Sequence, residues 1–534
     1  MASAPTRVLI LGTAESCASA IEVLHAQDPL GRLCEVVGIA VADRTGGGSE
    51  GGGGSGGGID LPQTTLEGLD GFSREHPFDV GLICLPSAMT RVAGRARAAL
   101  KAVGVPARTL PLLGDVLDGA DGGGRGVSLD QIDLLGLVGR ASRPIDRALA
   151  MEAVGGKRVM ITGAGGSIGS EIARICARFS PSELILMDRS DNALFEIDRQ
   201  LARIAPGVRR KVVLHDVVDS DSTLRRMVEL RPEVIFHAAA HKHVPLMEDH
   251  PAAAVNNNLF GTKSVADAAL STGAERFVMI STDKAVNPTS VMGATKRLAE
   301  LYVRSLNSEK RTRFSLVRFG NVLGSACSVL PIWASQISEG GPLTVTHPEM
   351  TRYFMTIPEA AALVIQASTI GGDAPFADRR EVFVLDMGEP VSILGLACRF
   401  VETLGLEPVI EEDGESRGIV PRPGRVPVRI VFSGVRPGEK LYEELSYSAE
   451  DLEPTLVPGV MAWSGERPER AEIARMVADL SGVRGTDDRE TVLRAIARHV
   501  PGFARVRAEA TVREAEEAEI SVHPPNKGSV QHAA

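Results

Sequence analysis

Two ionisable side chains, Asp283 and Lys284, stand next to each other directly after the hydroxyl of Thr282. A carboxyl group and an amine held side by side can give and take protons at neighbouring atoms of a substrate, as general acid–base chemistry requires. A second lysine, Lys296, follows downstream, with Met292 four residues before it. Methionine cannot titrate, and taken by itself it favours core packing. The segment therefore predicts a proton-transfer site.

A glycine-rich loop upstream has the pattern of a dinucleotide-binding turn. The apolar strand RVMIT precedes it and the helical pattern SEIARICARF follows. Glycines let the backbone approach a pyrophosphate, whose charge is met by free N–H groups at the helix N-terminus. A second strand ends at Asp188, at a distance that suits an acid on the adenosine ribose. Because Arg189 can accommodate a 2′-phosphate, the pattern favours NAD and leaves NADP open. The predicted contacts in the loop are Gly163, Gly165, Gly166, Ser167, Ile168 and Gly169.

Strands and helices alternate from this loop to about residue 322, which predicts a doubly wound parallel sheet. Ligands of such sheets bind at the carboxyl ends of the strands. Thr282 and Asp283 fall at one predicted strand end. Five further residues fall at other ends and are predicted to contact the cofactor: Asp216, Val217, His237, Ala238 and Ala239.

A first α/β unit precedes the glycine loop, with the strands RVLIL, CEVVGIAVA and DVGLICLP. After Gly12, residues 13–17 lack the further glycines of a nucleotide site, so a structural or regulatory role is expected. A Gly-rich insert at 46–58 behaves as a flexible coil. The predicted fold class is α/β, with two tandem Rossmann-like doubly wound parallel-sheet units, the second carrying a smaller C-terminal substrate-binding domain.

Charge and cysteine usage exclude several classes of protein. A net charge of −10 and a pI near 5.7 argue against nucleic-acid binding. The six cysteines are scattered singly, which indicates a reducing compartment and no structural zinc. His237, His241 and His243 lack a carboxylate or cysteine at ligand spacing, so no metal is expected. Without a signal peptide or an apolar run of bilayer length, we expect a soluble, cytoplasmic chain that reaches the inner face of the membrane only through partners.

Several segments resemble the CapD/WbpM-like polysaccharide-biosynthesis proteins, which are extended short-chain dehydrogenases/reductases. The resemblance covers Leu134 to Leu445 and rests on the segments HAAAHKHVPLMEDHP, STDKAVNPTSVMGATKR, VRFGNVLGS, PLTVTHPEMTRYFMTIPEA, VFVLDMGEPV and GVRPGEKLYEEL. It implies an NAD(P)-dependent UDP-N-acetylglucosamine 4,6-dehydratase of the configuration-retaining group, making a UDP-4-keto-6-deoxy-hexosamine for polysaccharide or glycan biosynthesis. In this group Met292 replaces the tyrosine of the YxxxK site that ends at Lys296. Family members usually carry transmembrane helices before the first α/β unit; we expect none in this chain, and we expect a homo-oligomer.

The resemblance also implies roles for the site residues. Lys284 is the expected base at sugar C5, provided that burial and nearby positive charge lower its pKa. Asp283 is the expected acid for the departing C6 hydroxyl, and Thr282 the hydrogen-bond partner of the C4 oxygen. Lys296 is expected to bind the nicotinamide ribose, and Met292 to stand beside it. Asp283, Lys296 or a water could remove the C4 hydroxyl proton. The cofactor is expected to be recycled and to stay bound.

The sugar nucleotide needs anion contacts, for which arginine is suited. Arg436 is the expected pyrophosphate partner and Glu439 a uracil-ribose acceptor, whereas Arg318 and Arg352 could equally be internal salt-bridge partners. Ala326 stands where the family has a basic residue, which removes a possible phosphate contact. The predicted substrate contacts are Lys242, His243, Asn321, Arg436 and Glu439.

The predicted division of the chain follows from these segments: an N-terminal unit at 1–115, a connector at 116–150, an extended catalytic domain at 151–465 (cofactor core 156–322, sugar-binding part mainly 323–465), a helical segment at 466–502 and a disordered tail at 503–534. Two other functions stay open. A UDP-sugar 4-epimerase would share cofactor and substrate but has no use for an acid and base aimed at C5 and C6. A non-catalytic nucleotide sensor or scaffold would explain Met292 as decay.

Overall fold

The computed structural model describes residues 5–13, 17, 20–21, 34–41, 61–85, 90–109, 134–138, 143–307, 312–325, 328–370, 381–404, 406–412, 415–417, 426–447, 450–463 and 465–503. Four predicted features therefore lie outside the described residues in whole or in large part: the insert at 46–58, the connector at 116–150, position 326 and the tail at 503–534. In the described part of the chain, no helix is both long enough and apolar enough to cross a membrane.

The chain divides into two compact units. The first comprises Met1–Leu137, Leu330–Leu343 and Ala397–Val431. The second comprises Val138–Val329, Thr344–Leu396 and Phe432–Ala534.

The first unit begins with a five-stranded parallel sheet. Its strands β1 to β5 are Thr6–Gly12, Cys34–Val41, Gln63–Thr65, Val80–Cys84 and Ala107–Thr109, in the spatial order β3-β2-β1-β4-β5. Helices α1 (Leu69–Glu75) and α2 (Thr90–Ala102) follow β3 and β4. The central strand β1 is buried on both faces, with Leu9, Ile10 and Leu11 fully inaccessible, as expected for a parallel sheet with helices on its faces.

The elements from residue 134 to residue 306 are α3 (Leu134–Val138), α4 (Arg147–Val154), β6 (Arg158–Thr162), α5 (Ser167–Ala177), β7 (Glu183–Asp188), α6 (Asp191–Ile204), β8 (Arg210–Leu214), α7 (Ser220–Leu230), β9 (Val234–His237), α8 (Val244–Asp249), α9 (Pro251–Ala254), a π-helical turn (Val255–Gly261), α10 (Thr262–Thr272), β10 (Arg276–Ile280), a 3₁₀ turn (Asp283–Ala285) and α11 (Val291–Leu306). The alternation of strand and helix predicted for this region is present.

The remaining elements are β11 (Arg313–Arg318), β12 (Asn321–Leu323), α12 (Val329–Ser338), β13 (Leu343–Val345), β14 (Thr351–Arg352), β15 (Phe354–Thr356), α13 (Ile357–Ala367), β16 (Val382–Leu385), β17 (Val391–Ser392), α14 (Ile393–Thr403), β18 (Glu407–Glu412), β19 (Glu415–Arg417), β20 (Pro427–Phe432), β21 (Glu453–Pro454), β22 (Val460–Trp463), α15 (Arg470–Ser481) and α16 (Arg489–His499).

A nine-stranded sheet organises the second unit, in the order β21-β22-β16-β11-β10-β9-β6-β7-β8. In this spatial order, neighbouring strands from β16 to β8 are parallel to each other. β22 pairs with β16, and β21 with β22, in antiparallel fashion. The strand order reverses between β6 and β9. This is the switch point at which doubly wound sheets bind ligands, beyond the carboxyl ends of their strands. The α/β class with doubly wound parallel sheets is thus confirmed.

Two apolar cores cover the faces of this sheet. One includes Leu298 and Val303 of α11 together with Ile473 of α15 and Ile496 of α16. The other contains most of α13, whose sequence IPEAAALVIQA is mainly apolar and buried along its length. Because α11 is buried on nearly every side, the position of Lys296 on it is fixed by packing.

Candidate active site

The glycine loop between β6 and α5 forms a turn that only glycine permits. Gly163 has a left-handed φ of 68°, and a Cβ there would lie 2.7 Å from the Ala239 backbone nitrogen. A Cβ on Gly169 would lie 2.1 Å from the Gly163 carbonyl oxygen. Gly166 caps α5 without any side-chain hydrogen bond, which leaves N–H groups of the first turn for an anion. These features fit a dinucleotide pyrophosphate.

The acidic group expected at the adenosine ribose lies beside this loop. Asp188 ends β7, and its Oδ2 accepts a hydrogen bond from Gly165 N at 3.0 Å. Arg189 contacts His241 Nε2 at 2.6 Å and lies 4.0 Å from an Asp216 carboxylate oxygen. The Val217 side chain is buried in the core, so only its backbone could meet a ligand. The two acids and Arg189 thus lie at the carboxyl edge of the sheet.

The ring of His237 is held by internal hydrogen bonds, and its role in cofactor binding stays a prediction. Both ring nitrogens are used internally: Nδ1 pairs with Thr162 Oγ1 at 2.7 Å and Nε2 with Thr262 Oγ1 at 2.9 Å. Thr262 Oγ1 donates its own proton to the Asn258 carbonyl, so Nε2 donates and Nδ1 accepts. Burial and the charge of Lys296 lower the pKa of His237 to about 3, and the ring is neutral. Ala238 and Ala239, half-buried in the loop after β9, stay available as cofactor contacts.

The acid–base pair lies where β10 ends and a 3₁₀ turn begins. Thr282 caps that turn, and its hydroxyl donates to Asp283 Oδ1 at 2.8 Å. Asp283 is fully buried, and its Oδ2 has no hydrogen-bond partner among the described residues. Any proton that Asp283 exchanges with a substrate must therefore pass through a neighbour that reaches the surface, such as the Thr282 hydroxyl.

Lys284 is an ammonium ion surrounded by oxygen acceptors. Its Nζ lies 3.0 Å from Asp283 Oδ1, 3.0 Å from Asn321 Oδ1 and 3.7 Å from Glu443 Oε1. Burial disfavours the charge, but the carboxylates of Asp283 and Glu443 outweigh it and raise the pKa of Lys284. The expectation that burial and neighbouring positive charge lower this pKa is therefore wrong for the protein without ligands. Of the two acids that raise this pKa, Asp283 is the neighbour in sequence and has the larger effect, and Glu443 comes from a distant part of the sequence.

Lys296 and Met292 lie on the first turns of α11. Lys296 Nζ donates to the Ile280 carbonyl at 2.7 Å, at the end of β10. Burial lowers the pKa of Lys296 to about 8, although Glu300 one turn further on opposes the shift. Met292 is 4% exposed and packs in the core beside the helix, where it offers an apolar wall and no titratable group.

A cavity of about 140 Å³ opens beside Lys284. Two predicted substrate contacts, Asn321 and Glu439, line it. So does Arg352, whose guanidinium donates to the carbonyls of Thr351, Lys440 and Leu441. The full lining is Val244, Lys284, Thr289, Ser290, Asn321, Arg352, Gly438, Glu439, Lys440 and Glu443.

Three predicted substrate residues lie outside this lining. Lys242 is exposed and His243 half-buried, just before Val244. Arg436 is exposed, and its backbone N–H donates to Glu439 Oε2 at 3.4 Å in the turn that carries both residues. The turn thus places the backbone of the exposed Arg436 next to the cavity-lining carboxylate of Glu439.

Arg318 proves to be an internal salt-bridge partner. It is fully buried and bonds Glu300 through Nε and Nη2, each at 2.8 Å, and Glu450 through Nη1 at 2.8 and 3.0 Å. Glu300 also accepts the Ser281 hydroxyl at 2.7 Å. Because Ser281 precedes Thr282, this network fixes the loop that carries the acid–base pair.

The segment after Gly438 holds the same loop from the other side, which the sequence did not predict. Lys440 Nζ donates to the Val286 carbonyl at 2.9 Å, and the Tyr447 hydroxyl donates to the Ala285 carbonyl at 3.0 Å. Glu443 of this segment reaches Lys284. The two adjacent glutamates in its sequence KLYEEL were a possible sign of a contact with the site. The sequence did not show which of the two points inward.

The sequence profile of the family described as "Polysaccharide biosynthesis protein" matches residues 159–464. The chain is 48% identical over 320 residues to "Capsular polysaccharide biosynthesis protein CapD" of Staphylococcus aureus, covering 60% of this chain and 50% of that protein. It thus spans about half the length of this relative.

Two relatives are named as nucleotide-sugar enzymes. A "UDP-glucose 4-epimerase" of Rickettsia canadensis (strain McKiel) is 32% identical over 303 residues, which are 55% of this chain and 79% of that protein. A "UDP-N-acetylglucosamine 4,6-dehydratase (inverting)" of Campylobacter jejuni is 33% identical over 214 residues, which are 39% of this chain and 62% of that protein.

Proposed function

The chain belongs to the polysaccharide biosynthesis protein family, and on that premise we propose that it is a UDP-N-acetylglucosamine 4,6-dehydratase. The product is the UDP-4-keto-6-deoxy-hexosamine, formed by loss of one water. The observation that carries the proposal is the hydrogen-bonded series Thr282–Asp283–Lys284 beside a cavity at the carboxyl edge of the sheet. An acid and a base at neighbouring positions suit an elimination across C5 and C6.

A nicotinamide dinucleotide bound at the glycine loop would supply the acceptor for the C4 hydride and return that hydride to C6. NAD is the better fit of the two nicotinamides. Asp188 suits a ribose hydroxyl, and Arg189 is already engaged by His241 and lies near Asp216.

Thr282 and Asp283 handle the hydroxyl protons in this proposal. The Thr282 hydroxyl donates to Asp283 Oδ1 and accepts the Lys284 backbone N–H at the long distance of 3.4 Å, so its second lone pair accepts the C4 hydroxyl proton while its own proton passes to Asp283. The same proton returns through Thr282 to the C6 hydroxyl, which leaves as water. No titratable side chain is then needed at Met292.

Lys284 is the base at C5 and returns the proton to C5 after the water has left. Its amine must be neutral at the moment of attack. Lys296 is buried, and its Nζ donates to the carbonyl at the end of β10. From there its ammonium stabilises the negative charge that develops on the C4 oxygen.

Mass analysis of UDP-N-acetylglucosamine after incubation with purified protein and NAD tests the proposal. Loss of one water supports dehydration. Unchanged mass with a new configuration at C4 would identify an epimerase, as one relative is named. Unchanged substrate would favour the sensor or scaffold.

A further inference from the structure

Lys284 cannot act as a base in the state that the structure describes. Its Nζ donates to two oxygens at 3.0 Å and faces a third at 3.7 Å, and the ammonium form is the stable one. A C5 proton can be accepted only after this ammonium has lost one of its own. The group that takes that proton must lie in contact with the ammonium.

Three oxygen-bearing side chains meet that requirement, and two of them are poor acceptors. The Asn321 amide does not take a proton at accessible pH. Asp283 Oδ1 already receives hydrogen bonds from the Thr282 hydroxyl at 2.8 Å and from Lys284 at 3.0 Å. The Asp283 oxygen that faces Lys284 is therefore already engaged by two donors.

Glu443 is in the opposite situation. Its side chain is 3% exposed and lines the cavity. No described residue bonds its Oε2, and its contact with Lys284 is at the longer distance of 3.7 Å. A buried carboxylate with so few donors is poorly stabilised as an anion. Burial raises the pKa of Glu443, Asp283 raises it further, and the positive charges of Lys284, Arg352 and Lys440 only oppose this.

We propose that Glu443 is the proton acceptor of Lys284, a positioning residue that converts the ammonium into the amine that attacks C5. The inference rests on the proposed function of the same site. One N–H bond of Lys284 breaks and one O–H bond of Glu443 forms, so the pair exchanges two opposite charges for two neutral groups. Glu439, on the same cavity wall, is already bonded to the Arg436 backbone.

Substrate binding favours this transfer. A sugar that fills the cavity removes water from around Lys284 and Glu443, and two neutral groups tolerate a dry cavity better than two ions. When the C5 proton later reaches Lys284, the ammonium forms again, and its return to C5 restores the amine. Glu443 gives its proton back when product leaves and water re-enters.

The test is the pH dependence of kcat in Glu443→Gln, which has the same shape but accepts no proton. We expect kcat at pH 7 to fall on the order of 10²-fold, with a smaller change in KM. We expect the acid limb of the profile to move to higher pH, because Lys284 must now lose its proton to solvent, so that activity recovers as pH rises. Loss of packing alone would lower activity without moving the limb.

Matched variants make the result decisive. Glu444→Gln changes the neighbouring glutamate, which is 51% exposed and bonds Asn287 and Lys440, and should leave the limb in place. Glu443→Asp shortens the side chain and draws the carboxylate away from Lys284 Nζ. Its acid limb should lie between the acid limbs of the wild type and of Glu443→Gln. If Glu443→Gln does not fold, the comparison of Glu443→Asp with the wild type tests the inference. An acid limb identical to the wild type in either Glu443 variant overturns the inference. If the wild type itself releases no water from UDP-N-acetylglucosamine, the proposed function fails instead.

Discussion

The Nζ atom of Lys284 lies 3.0 Å from Oδ1 of Asp283, so the two neighbours in sequence also form an ion pair in space. The pair is asymmetric: the Asp283 side chain is fully buried, whereas the Lys284 side chain is 20% exposed and lines the cavity. Lys284 can therefore touch a substrate directly, and Asp283 reaches it through a neighbour.

Lys284→Ala should abolish both the exchange of the C5 hydrogen with solvent deuterium and the formation of product, because it removes the cavity-lining amine that contacts Asp283. The loss of activity should be on the order of 10³-fold or more. NMR of the sugar in deuterium oxide measures the exchange. Lys211→Ala, an exposed lysine on the edge strand β8, is the control and should behave as wild type. Exchange at C5 that persists in Lys284→Ala would identify another base.

Met292→Leu should keep most of the activity, since the residue provides an apolar wall and swaps of similar volume usually cost little. Lys296→Met should lose far more, because it removes a buried positive charge at the end of β10. Initial rates at saturating cofactor and substrate compare the two. Equal inactivity of both folded variants would give the thioether a specific role, and strongly increased activity of Met292→Tyr would support a decayed enzyme.

Gly169→Ala should weaken nicotinamide binding roughly tenfold or more, since the added Cβ would lie 2.1 Å from the Gly163 carbonyl and the loop must open. Gly207→Ala is the matched control, because its Cβ would meet nothing within 4 Å. Cofactor content after purification and titration with NAD measure the effect. Undiminished binding in Gly169→Ala would place the dinucleotide elsewhere.

The glycine loop was predictable from sequence because its strand, glycines, helix and Asp188 follow one another along the chain. The same holds for the alternating strands from β6 to β11. The raised pKa of Lys284 was predictable only in part, because Asp283 is its neighbour in sequence, whereas only the folded chain brings Glu443 near. The hydrogen bonds of the His237 ring were not predictable either, because its partners, Thr162 and Thr262, come from two other elements.

Glu300→Gln should destabilise the second unit by about 3–5 kcal/mol at pH 7, because it leaves the buried charge of Arg318 with one carboxylate fewer. Burial opposes the charge of Glu300, but Arg318 outweighs it and lowers the pKa of Glu300 to about 2, from an ordinary 4.5. Because the pKa of Glu300 is lower in the folded chain than in the unfolded chain, its carboxylate contributes its full stabilisation above pH 4.5. That contribution is lost as the pH falls toward 2.

Denaturant midpoints of wild type and variant should therefore differ most at neutral pH and converge as the pH falls below 4.5. Glu196→Gln, which breaks an exposed pair with Arg199, is the control and should change the midpoint far less. A wild-type to Glu300→Gln difference that does not vary with pH would show that packing, and not charge, accounts for the loss.

The most direct test of the central claim follows one hydrogen. UDP-N-acetylglucosamine carrying deuterium at C4 is incubated with the protein and NAD, and the product is examined by mass spectrometry and NMR. Dehydration by this site predicts a product lighter by one water with the deuterium at C6, and no net reduced nicotinamide. Deuterium that stays at C4 of an unchanged-mass product, or reduced nicotinamide that accumulates in step with turnover, would contradict it.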